Sequence, residues 1–266
     1  MATYVFSDVH GHAATLNRVL DTVSPSQDDA FYCLGDMIDR GPDPIEVLRI
    51  VRGLPNAHVL MGNHEDLMMA CLRDTESQID AFNWGMNGGQ TTSDGLAAAG
   101  DEADELVEWV SGLPRAAWAQ VGEKAFVFAH AGLDPANTFM TDIWNDVSFQ
   151  SLIDAQDPED LLWIREDFWG AEKSGLVDSA GQGPIVVAGH TPTPYLERMT
   201  ALLDRPVRNE DGLAQMVCVG ASDATGGVAD RIDIDCGAAG GFGFGQVMLL
   251  RLDDMTEFYE PVREGE

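Results

Sequence analysis

Short apolar runs alternate with amphipathic segments along most of the chain. The apolar runs have the length and composition of strands, and the segments between them place apolar residues three and four positions apart, as in Leu16, Val19 and Leu20. This alternation predicts a layered α/β fold. The predicted strands lie at residues 3–7, 30–34, 58–61, 124–129, 185–188, 232–234 and 247–252, and the clearest helices at 13–22, 44–52 and 64–73.

Two segments depart from this alternation. Residues 81–120 have a helical and loop-like pattern with a glycine-rich start, and residues 195–230 combine weak periodicity with several glycines and aspartates. The second pattern predicts an excursion or hairpin within the fold. Because the chain has no internal repeat and no linker-like composition, we expect residues 1–266 to form a single domain.

Five of the predicted strands are followed at once by polar residues of a restricted kind. In open α/β sheets, ligands bind outside the carboxyl ends of the strands, so these loops are predicted to meet at one place. Four of the six histidines lie in them, whereas His12 and His58 lie outside and are interpreted as structural. The clusters are Asp8-Val9-His10, Gly35-Asp36, Gly62-Asn63-His64, His130-Ala131-Gly132 and Gly189-His190.

The residue types in these clusters indicate a metal site. Asp, Asn and neutral His suit Mn, Fe or Zn better than Ca. A carboxylate such as Asp36 can bridge two cations, and two metals about 3.5–4 Å apart can clamp the oxygens of a phosphoryl group. Any one of these motifs alone is more typical of a turn or helix cap, so the hypothesis depends on their conjunction.

The motifs together resemble those of a known family. Asp8-Val9-His10-Gly11, residues 35–41, Gly62-Asn63-His64-Glu65, His130-Ala131-Gly132 and residues 189–192 follow the motif order of the phosphoprotein phosphatase branch of calcineurin-like metallophosphoesterases. More narrowly, they are similar to small bacterial and phage serine/threonine phosphatases, as is the segment from Trp84 to Thr92. The resemblance runs from residue 4 to about residue 250 and implies two β-sheets packed as a central sandwich flanked by helices.

The resemblance also implies a cofactor and its ligands. The cofactor is a pair of divalent transition-metal ions, with Mn²⁺ expected first and Fe or Zn as alternatives. The first ion is held through Asp36, which bridges to the second ion. The implied metal ligands are Asp8, His10 and Asp36 for the first ion, and Asp36, Asn63, His130 and His190 for the second.

The catalytic roles follow from the same resemblance. His64 is the general acid that protonates the leaving group, Asp39 orients it, and Arg40 binds phosphate oxygens. The attacking group is a hydroxide that bridges the two metals. Arg165 is the candidate for a second phosphate-binding arginine, with an ordinary helix-surface arginine as the alternative. Cys236 stands where the family usually has threonine, and we expect a packed thiol there.

The leading hypothesis is a phosphomonoesterase acting on phosphoserine or phosphothreonine. The alternative is a symmetrical bis(5'-nucleosyl)-tetraphosphatase, which has the same metal site. Members of that second group tend to have Asn where Asp39 stands and Asp where Glu65 stands, which favours the first hypothesis. A metal-binding module without catalysis would show gaps among the ligands or the acid, and the sequence has none.

Net charge and composition restrict the classes of partner that we expect the protein to bind. The 266 residues include 45 acidic and 15 basic ones, a formal net charge of −30, which argues against nucleic acid or an anionic membrane as partner. A phosphorylated protein or small phosphoester is compatible, because a bound metal reverses the field locally. No apolar stretch approaches the ~20 residues of a membrane span, and four scattered cysteines suit a reducing compartment, so we expect the cytoplasm. The oligomeric state is left open.

Overall fold

The computed structural model describes residues 1–141 and 143–266. These residues form two compact units, the first made of residues 1–114 with 237–266 and the second of residues 115–236. Each unit has its own mixed five-stranded sheet with helices beside it. The predicted α/β fold of two mixed sheets and flanking helices is confirmed. That residues 1–266 act as one domain stays a prediction.

The first unit contains five strands and six helices among the described residues. Its strands are β1 (Thr3–Phe6), β2 (Ala30–Cys33), β3 (Ala57–Val59), β9 (Gln246–Arg251) and β10 (Thr256–Pro261). Its helices are α1 (Ala13–Val23), α2 (Pro44–Arg52), α3 (Asn63–Arg73), α4 (Gln78–Met86), α5 (Gln90–Ala99) and α6 (Asp101–Ser111). The sheet order is β10-β9-β1-β2-β3, with β1, β2 and β3 parallel and β9 antiparallel to both of its neighbours.

Local sequence explains where these helices begin and what they bury. Pro44 opens α2 at a position where its missing N–H costs no hydrogen bond, and the Ser77 hydroxyl accepts the Asp80 N–H at the start of α4. The face of α1 that carries Leu16 and Val19 is fully buried in the core of this unit. Apolar burial of this kind contributes about 1.5–3 kcal/mol for each large side chain.

The second unit contains the other five strands. They are β4 (Ala116–Val121), β5 (Lys124–Ala129), β6 (Ile185–Ala188), β7 (Val217–Val219) and β8 (Arg231–Asp233), in the sheet order β4-β5-β6-β8-β7. Strands β5, β6 and β8 are parallel. Three short helices, α7 (Asp146–Asp154), α8 (Asp160–Trp163) and α9 (Glu166–Trp169), lie between β5 and β6.

The predicted elements match the structure to within one or two residues at each end, but three strands were missed. Strand β4 is half-buried and rich in alanine, β7 has only three residues, and β10 is a half-buried edge strand of mixed polarity, so none shows a clear period of two. Strand β7 pairs antiparallel with β8, which begins at residue 231, and isolated bridges inside residues 195–230 join Leu203 to Val219 and Arg208 to Ala214. That residues 195–230 form an excursion or hairpin within the fold stays a prediction.

The sheet orders decide which loops become neighbours. Because β1, β2 and β3 are parallel and adjacent, the loops that follow them emerge side by side at one edge of the first sheet. The loops after β5 and β6 do the same in the second sheet. None of the described helices combines the length and apolar content that a membrane span needs.

A buried ion pair holds the second unit together near α9. Arg231 and Asp230 are both fully buried, with 3.0 Å between Arg231 Nε and Asp230 Oδ1. Arg231 Nη1 also donates to the carbonyl of Phe168 at 2.5 Å, and Asp230 accepts the backbone N–H of Ser174. The pair therefore ties β8 to the chain segment that contains α9.

Removing Arg231 should destabilise the protein strongly, because Asp230 would stay buried without its partner. We expect R231A to lower the free energy of unfolding by about 3–5 kcal/mol. The control is R49A, whose ion pairs with Glu46 and Glu102 are exposed to solvent and therefore contribute little to stability. Urea unfolding followed by tryptophan fluorescence measures both, and equal losses would contradict the expectation.

Candidate active site

The loops after β1 and β2 bring three of the predicted metal ligands together. His10 Nδ1 lies 3.0 Å from the carbonyl oxygen of Ile38, so Nδ1 carries the proton and Nε2 keeps its lone pair. That Nε2 lies 3.4 Å from Asp36 Oδ2 and 4.0 Å from Asp8 Oδ1. All three side chains are at most 3% exposed, so no bulk water separates these atoms.

This arrangement fits a cation. An imidazole lone pair and carboxylate oxygens facing each other in a buried space repel unless positive charge lies between them. Burial raises the pKa of Asp36 well above its usual range, and the charges of Asp8 and Glu65 act in the same direction, opposed by His64. Ligand atoms of His10, Asp36 and His64 lie within 4.8 Å of one another, a spacing that would suit one metal ion. The predicted ligand set has Asp8 in place of His64, which keeps its predicted role as the acid.

The start of α3 supplies the next two predicted residues. Asn63 is the first residue of the helix and is 2% exposed, and His64 follows it. The His64 backbone N–H donates to Asp36 Oδ1 at 3.0 Å, so the helix N-terminus adds a hydrogen bond to the carboxylate predicted to bridge the metals. Ligation by Asn63 stays a prediction.

His64 is held on both ring nitrogens. Nδ1 lies 2.7 Å from Asp39 Oδ2, and Nε2 lies 3.0 Å from Arg40 Nη2. Asp39 is fully buried and His64 nearly so, which fixes the plane of the ring. The pairing of a buried carboxylate with a histidine is the geometry expected of an oriented general acid, with Nε2 as the atom that exchanges a proton. A guanidinium has no acceptor, so His64 Nε2 accepts this hydrogen bond from Arg40 and must exchange that contact for a proton before it acts as an acid. The roles of Asp39 and Arg40 stay predictions.

The backbone of these loops is left-handed at several residues that are not glycine. Each such conformation costs on the order of 1–3 kcal/mol and persists only where surrounding contacts hold it, typically at functional sites. Asp39 and Arg40 are consecutive, with φ of 69° and 68°. The residues of the predicted site that have positive φ in the first unit are Asp8, His10, Asp36, Asp39 and Arg40.

Glu65 joins two of the loops. Its carboxylate accepts the backbone N–H groups of Asp36 and Met37 after β2, both at 2.8 Å, and that of Gly62 after β3 at 2.9 Å. Gly62 is required there because a Cβ atom would lie 2.3 Å from Asp36 Oδ1. Since the Glu65 carboxylate is occupied by backbone, its identity reports on how the loops are built and not on the substrate.

Two further residues were singled out in the sequence only as part of a similar segment. Trp84 Nε1 donates to Asp39, at 3.0 Å from Oδ2 and 3.1 Å from Oδ1, and Thr92 Oγ1 donates to Asp39 Oδ1 at 2.6 Å. Sequence reasoning assigned neither residue a role. The sequence offers one signal that these residues have a function. Residues 84–92 contain Trp, Asn, Gly and Thr and lack the apolar periodicity of a helix that packs in a core.

The second unit holds the remaining predicted residues. His130 follows β5 and His190 follows β6, and both are buried with ring centroids 5.0 Å apart. Arg165 Nε donates to His190 Nε2 at 3.0 Å, so this side chain turns toward the histidine pair. Trp163 is 40% exposed, and its ring meets the edge of His190 at 5.7 Å between centroids. His190 also has a positive φ, of 65°.

Three residues to which the sequence analysis gives no catalytic or metal-binding role differ in their burial and contacts. His12 is buried beside the metal loops, where burial lowers the pKa of its ring. His58 is exposed and stacks on Tyr32 with ring centroids 4.6 Å apart. Cys236 is 3% exposed, as expected for a packed thiol.

Comparison with known proteins gives a family for this arrangement. A family model described as calcineurin-like phosphoesterase matches residues 1–219. A symmetrical bis(5'-nucleosyl)-tetraphosphatase from Erwinia tasmaniensis is 36% identical over 140 residues, which are 51% of this chain and 46% of that protein. A protein of the same name from Paracidovorax citrulli is 30% identical over 183 residues, 66% of this chain and 61% of that protein.

The chain spans about half the length of the curated relatives it matches, with 46% and 61% covered in the two just named. Among solved structures, a protein serine/threonine phosphatase from Saccharomyces cerevisiae aligns with a TM-score of 0.56 at 15% identity, covering 100% of this chain and 81% of that one. At this identity the likeness concerns the fold alone. The family resemblance predicted from the motifs is confirmed.

Replacing Asp36 should abolish metal binding. We expect D36N to bind Mn²⁺ more than about 100-fold more weakly than the native protein, because even outer partners of a metal ligand are worth about 10–100-fold. The control is D43N, which removes an exposed carboxylate close in sequence. Metal content after dialysis and titration calorimetry with Mn²⁺ measure the effect, and unchanged Mn²⁺ affinity in D36N would remove Asp36 from the ligand set.

Proposed function

Because this chain belongs to the calcineurin-like phosphoesterase family, we propose that it is a metal-dependent hydrolase of dinucleoside tetraphosphates. The observation that carries this choice of substrate is the identity to two curated relatives named symmetrical bis(5'-nucleosyl)-tetraphosphatase, over 140 and 183 residues. Of the two substrate classes that the sequence left open, these relatives support the second. The preference for phosphoserine or phosphothreonine is not confirmed.

Two residues, Asp39 and Glu65, favour a protein phosphatase in the sequence, and they make different contacts in the structure. The Glu65 carboxylate accepts backbone N–H groups of the loops, a contact that does not by itself separate the two substrate classes. Asp39, in contrast to Glu65, contributes to the proposed chemistry, because its Oδ2 lies 2.7 Å from His64 Nδ1.

We propose that the side chains divide the work as follows. The metal ligands are Asp8, His10, Asp36, Asn63, His130 and His190, all six inferred from motif order. Two divalent cations at these ligands would polarise phosphoryl oxygens and lower the pKa of water. Arg40 and Arg165 bind non-bridging phosphate oxygens, for which the guanidinium fork is suited. His64 donates a proton from Nε2 to the departing oxygen, and Asp39 keeps Nδ1–H of the same ring in place.

A nucleotide substrate also needs a surface for its base. Trp163 offers one, since 40% of it is exposed and it lies two residues before Arg165. Stacking of a base on an aromatic ring is worth about 1–3 kcal/mol. This feature is compatible with a nucleotide, because every nucleotide presents the flat ring of its base.

A phosphomonoesterase acting on phosphoserine or phosphothreonine is the second candidate, and the Asp39–His64 pair favours it. An alkoxide is a poor leaving group and needs a proton during bond cleavage, which a buried and oriented histidine supplies. A nucleoside diphosphate leaves more easily and depends less on such an acid. The two candidates therefore differ in how much they need His64.

The substrate class can be tested with one panel. We expect diadenosine tetraphosphate to be hydrolysed with a kcat/KM at least ~10-fold above that of a phosphoserine peptide, in the presence of Mn²⁺. Release of two ADP molecules identifies symmetrical cleavage, whereas ATP with AMP identifies cleavage at a different phosphate. W163A should raise KM for the dinucleotide by about 10-fold, the equivalent of ~1.4 kcal/mol, and leave an alkyl phosphate, which has no ring to stack, unaffected.

W163F keeps an aromatic ring and serves as the matched variant, since it should recover most of the dinucleotide affinity. A higher kcat/KM on the phosphopeptide would reject the dinucleotide proposal and favour the second candidate. If W163A raised KM for the alkyl phosphate equally, Trp163 would have no part in recognising the base.

The acid role of His64 predicts an effect that depends on the leaving group. H64A should lower kcat on an alkyl phosphate by roughly 10²–10⁴-fold while metal content stays unchanged. The loss should be much smaller on 4-nitrophenyl phosphate, because nitrophenolate departs without a proton. Steady-state rates on both substrates measure this difference, and equal losses would show that His64 is not the acid.

A further inference from the structure

The segment from α4 to α5 surrounds Asp39 with hydrogen-bond donors. Thr92 Oγ1 donates to Asp39 Oδ1 at 2.6 Å and also accepts the Asp39 backbone N–H at 2.9 Å. Trp84 Nε1 lies 3.0 and 3.1 Å from the two carboxylate oxygens. Thr92 is fully buried and Trp84 is 6% exposed, so water does not substitute for either donor.

The turn between the two helices holds Arg40 through its backbone. The Arg40 N–H donates to the carbonyl of Gly88 at 3.1 Å, which helps to keep Arg40 at its φ of 68°. Gly88 has a φ of +98°, and a Cβ atom there would lie 2.7 Å from Arg40 Cγ. Glycine is therefore needed for the turn to approach so closely.

The donors leave Asp39 one orientation. Oδ1 is taken by Thr92 and Oδ2 faces His64 Nδ1 at 2.7 Å, with the Trp84 indole shared between the two oxygens. A carboxylate whose second oxygen is fixed cannot rotate about its side-chain bond without breaking a hydrogen bond to a charged group, which is among the stronger kinds. The plane of the carboxylate then sets the plane of the His64 ring.

We propose that Trp84 and Thr92 are positioning residues that act through Asp39 to hold His64 in the orientation for proton transfer to the leaving group. This inference rests on the acid role of His64 within the proposed function, and it applies to either substrate class. Neither residue touches the substrate in this scheme. A purely structural role would change stability and metal content but would not distinguish one leaving group from another.

Three single variants separate the donor from the shape of the side chain. T92V keeps the shape of threonine and removes the hydroxyl, T92S keeps the hydroxyl, and W84F removes the indole N–H. We expect T92V and W84F to lower kcat on an alkyl phosphate by about 10-fold or more, within the ~10²–10⁴-fold attributed to a general acid. On 4-nitrophenyl phosphate their kcat should change less than about 3-fold, and T92S should recover most of the alkyl phosphate rate.

Matched controls come from the same unit. T22V removes a hydroxyl in α1 that bonds only to its own helix, and W109F changes a half-buried tryptophan of α6. Both should behave like the native protein on the two substrates. Metal content and thermal unfolding of every variant show whether the fold is kept.

A double-mutant cycle and a spectroscopic measurement complete the test. In the H64A background, T92V should have no further effect on the alkyl phosphate, because both changes remove the same contribution. The proton on His64 Nδ1 should give a downfield ¹H resonance from its hydrogen bond to Asp39. That resonance should shift or broaden in T92V and W84F, and return toward its native position in T92S.

The outcomes distinguish this inference from the proposal on which it rests. If H64A shows the leaving-group effect while T92V and W84F lower both rates equally or not at all, the positioning role is overturned and the acid role stands. If H64A itself lowers both rates equally, both are overturned. A preference for phosphopeptide over dinucleotide leaves the inference intact, because simple phosphate esters test it.

Discussion

The structure of the site depends on how the negative charge of four carboxylates buried in the first unit is matched. Asp8, Asp36, Asp39 and Glu65 are each at most 2% exposed, and buried negative charge is costly unless it is matched. Glu65 is matched by backbone N–H groups and Asp39 by an indole, a hydroxyl and an imidazole. Asp8 accepts a hydrogen bond from the Ser7 hydroxyl and Asp36 accepts one from the His64 backbone N–H. Both carboxylates also face the lone pair of His10, an arrangement that a divalent cation would satisfy.

The architecture makes this concentration of charge possible. Parallel neighbouring strands deliver their following loops to one edge, and glycines such as Gly62 and Gly88 let those loops come closer than side chains would permit. The loops hold left-handed residues in succession, and their cost is met by hydrogen bonds that cross between loops, such as those of Glu65. The same short loops therefore carry the predicted metal ligands and the hydrogen bonds that hold those ligands in place.

The sequence predicts the site best where functional residues directly follow a strand or belong to a motif of known order. The clusters after the strands could be read because polar residues follow apolar runs directly, and His64 with Asp39 came from a motif of known order. The donors around Asp39 could not be derived this way, since Trp84 and Thr92 lie 45 and 53 residues from it and their contact depends on how α4 and α5 turn. Strands β4, β7 and β10 were missed because half-burial and short length remove the alternating pattern.

The donors around Asp39 also constrain how this chain can change over evolutionary time. An asparagine at position 39 would bring an amide NH₂ group into a buried space already occupied by the indole N–H of Trp84, the hydroxyl of Thr92 and the ring N–H of His64. One buried donor would then lose its acceptor, a loss of about 1–3 kcal/mol. Trp84 and Thr92 therefore restrict which side chain position 39 can hold without leaving a buried donor unpaired.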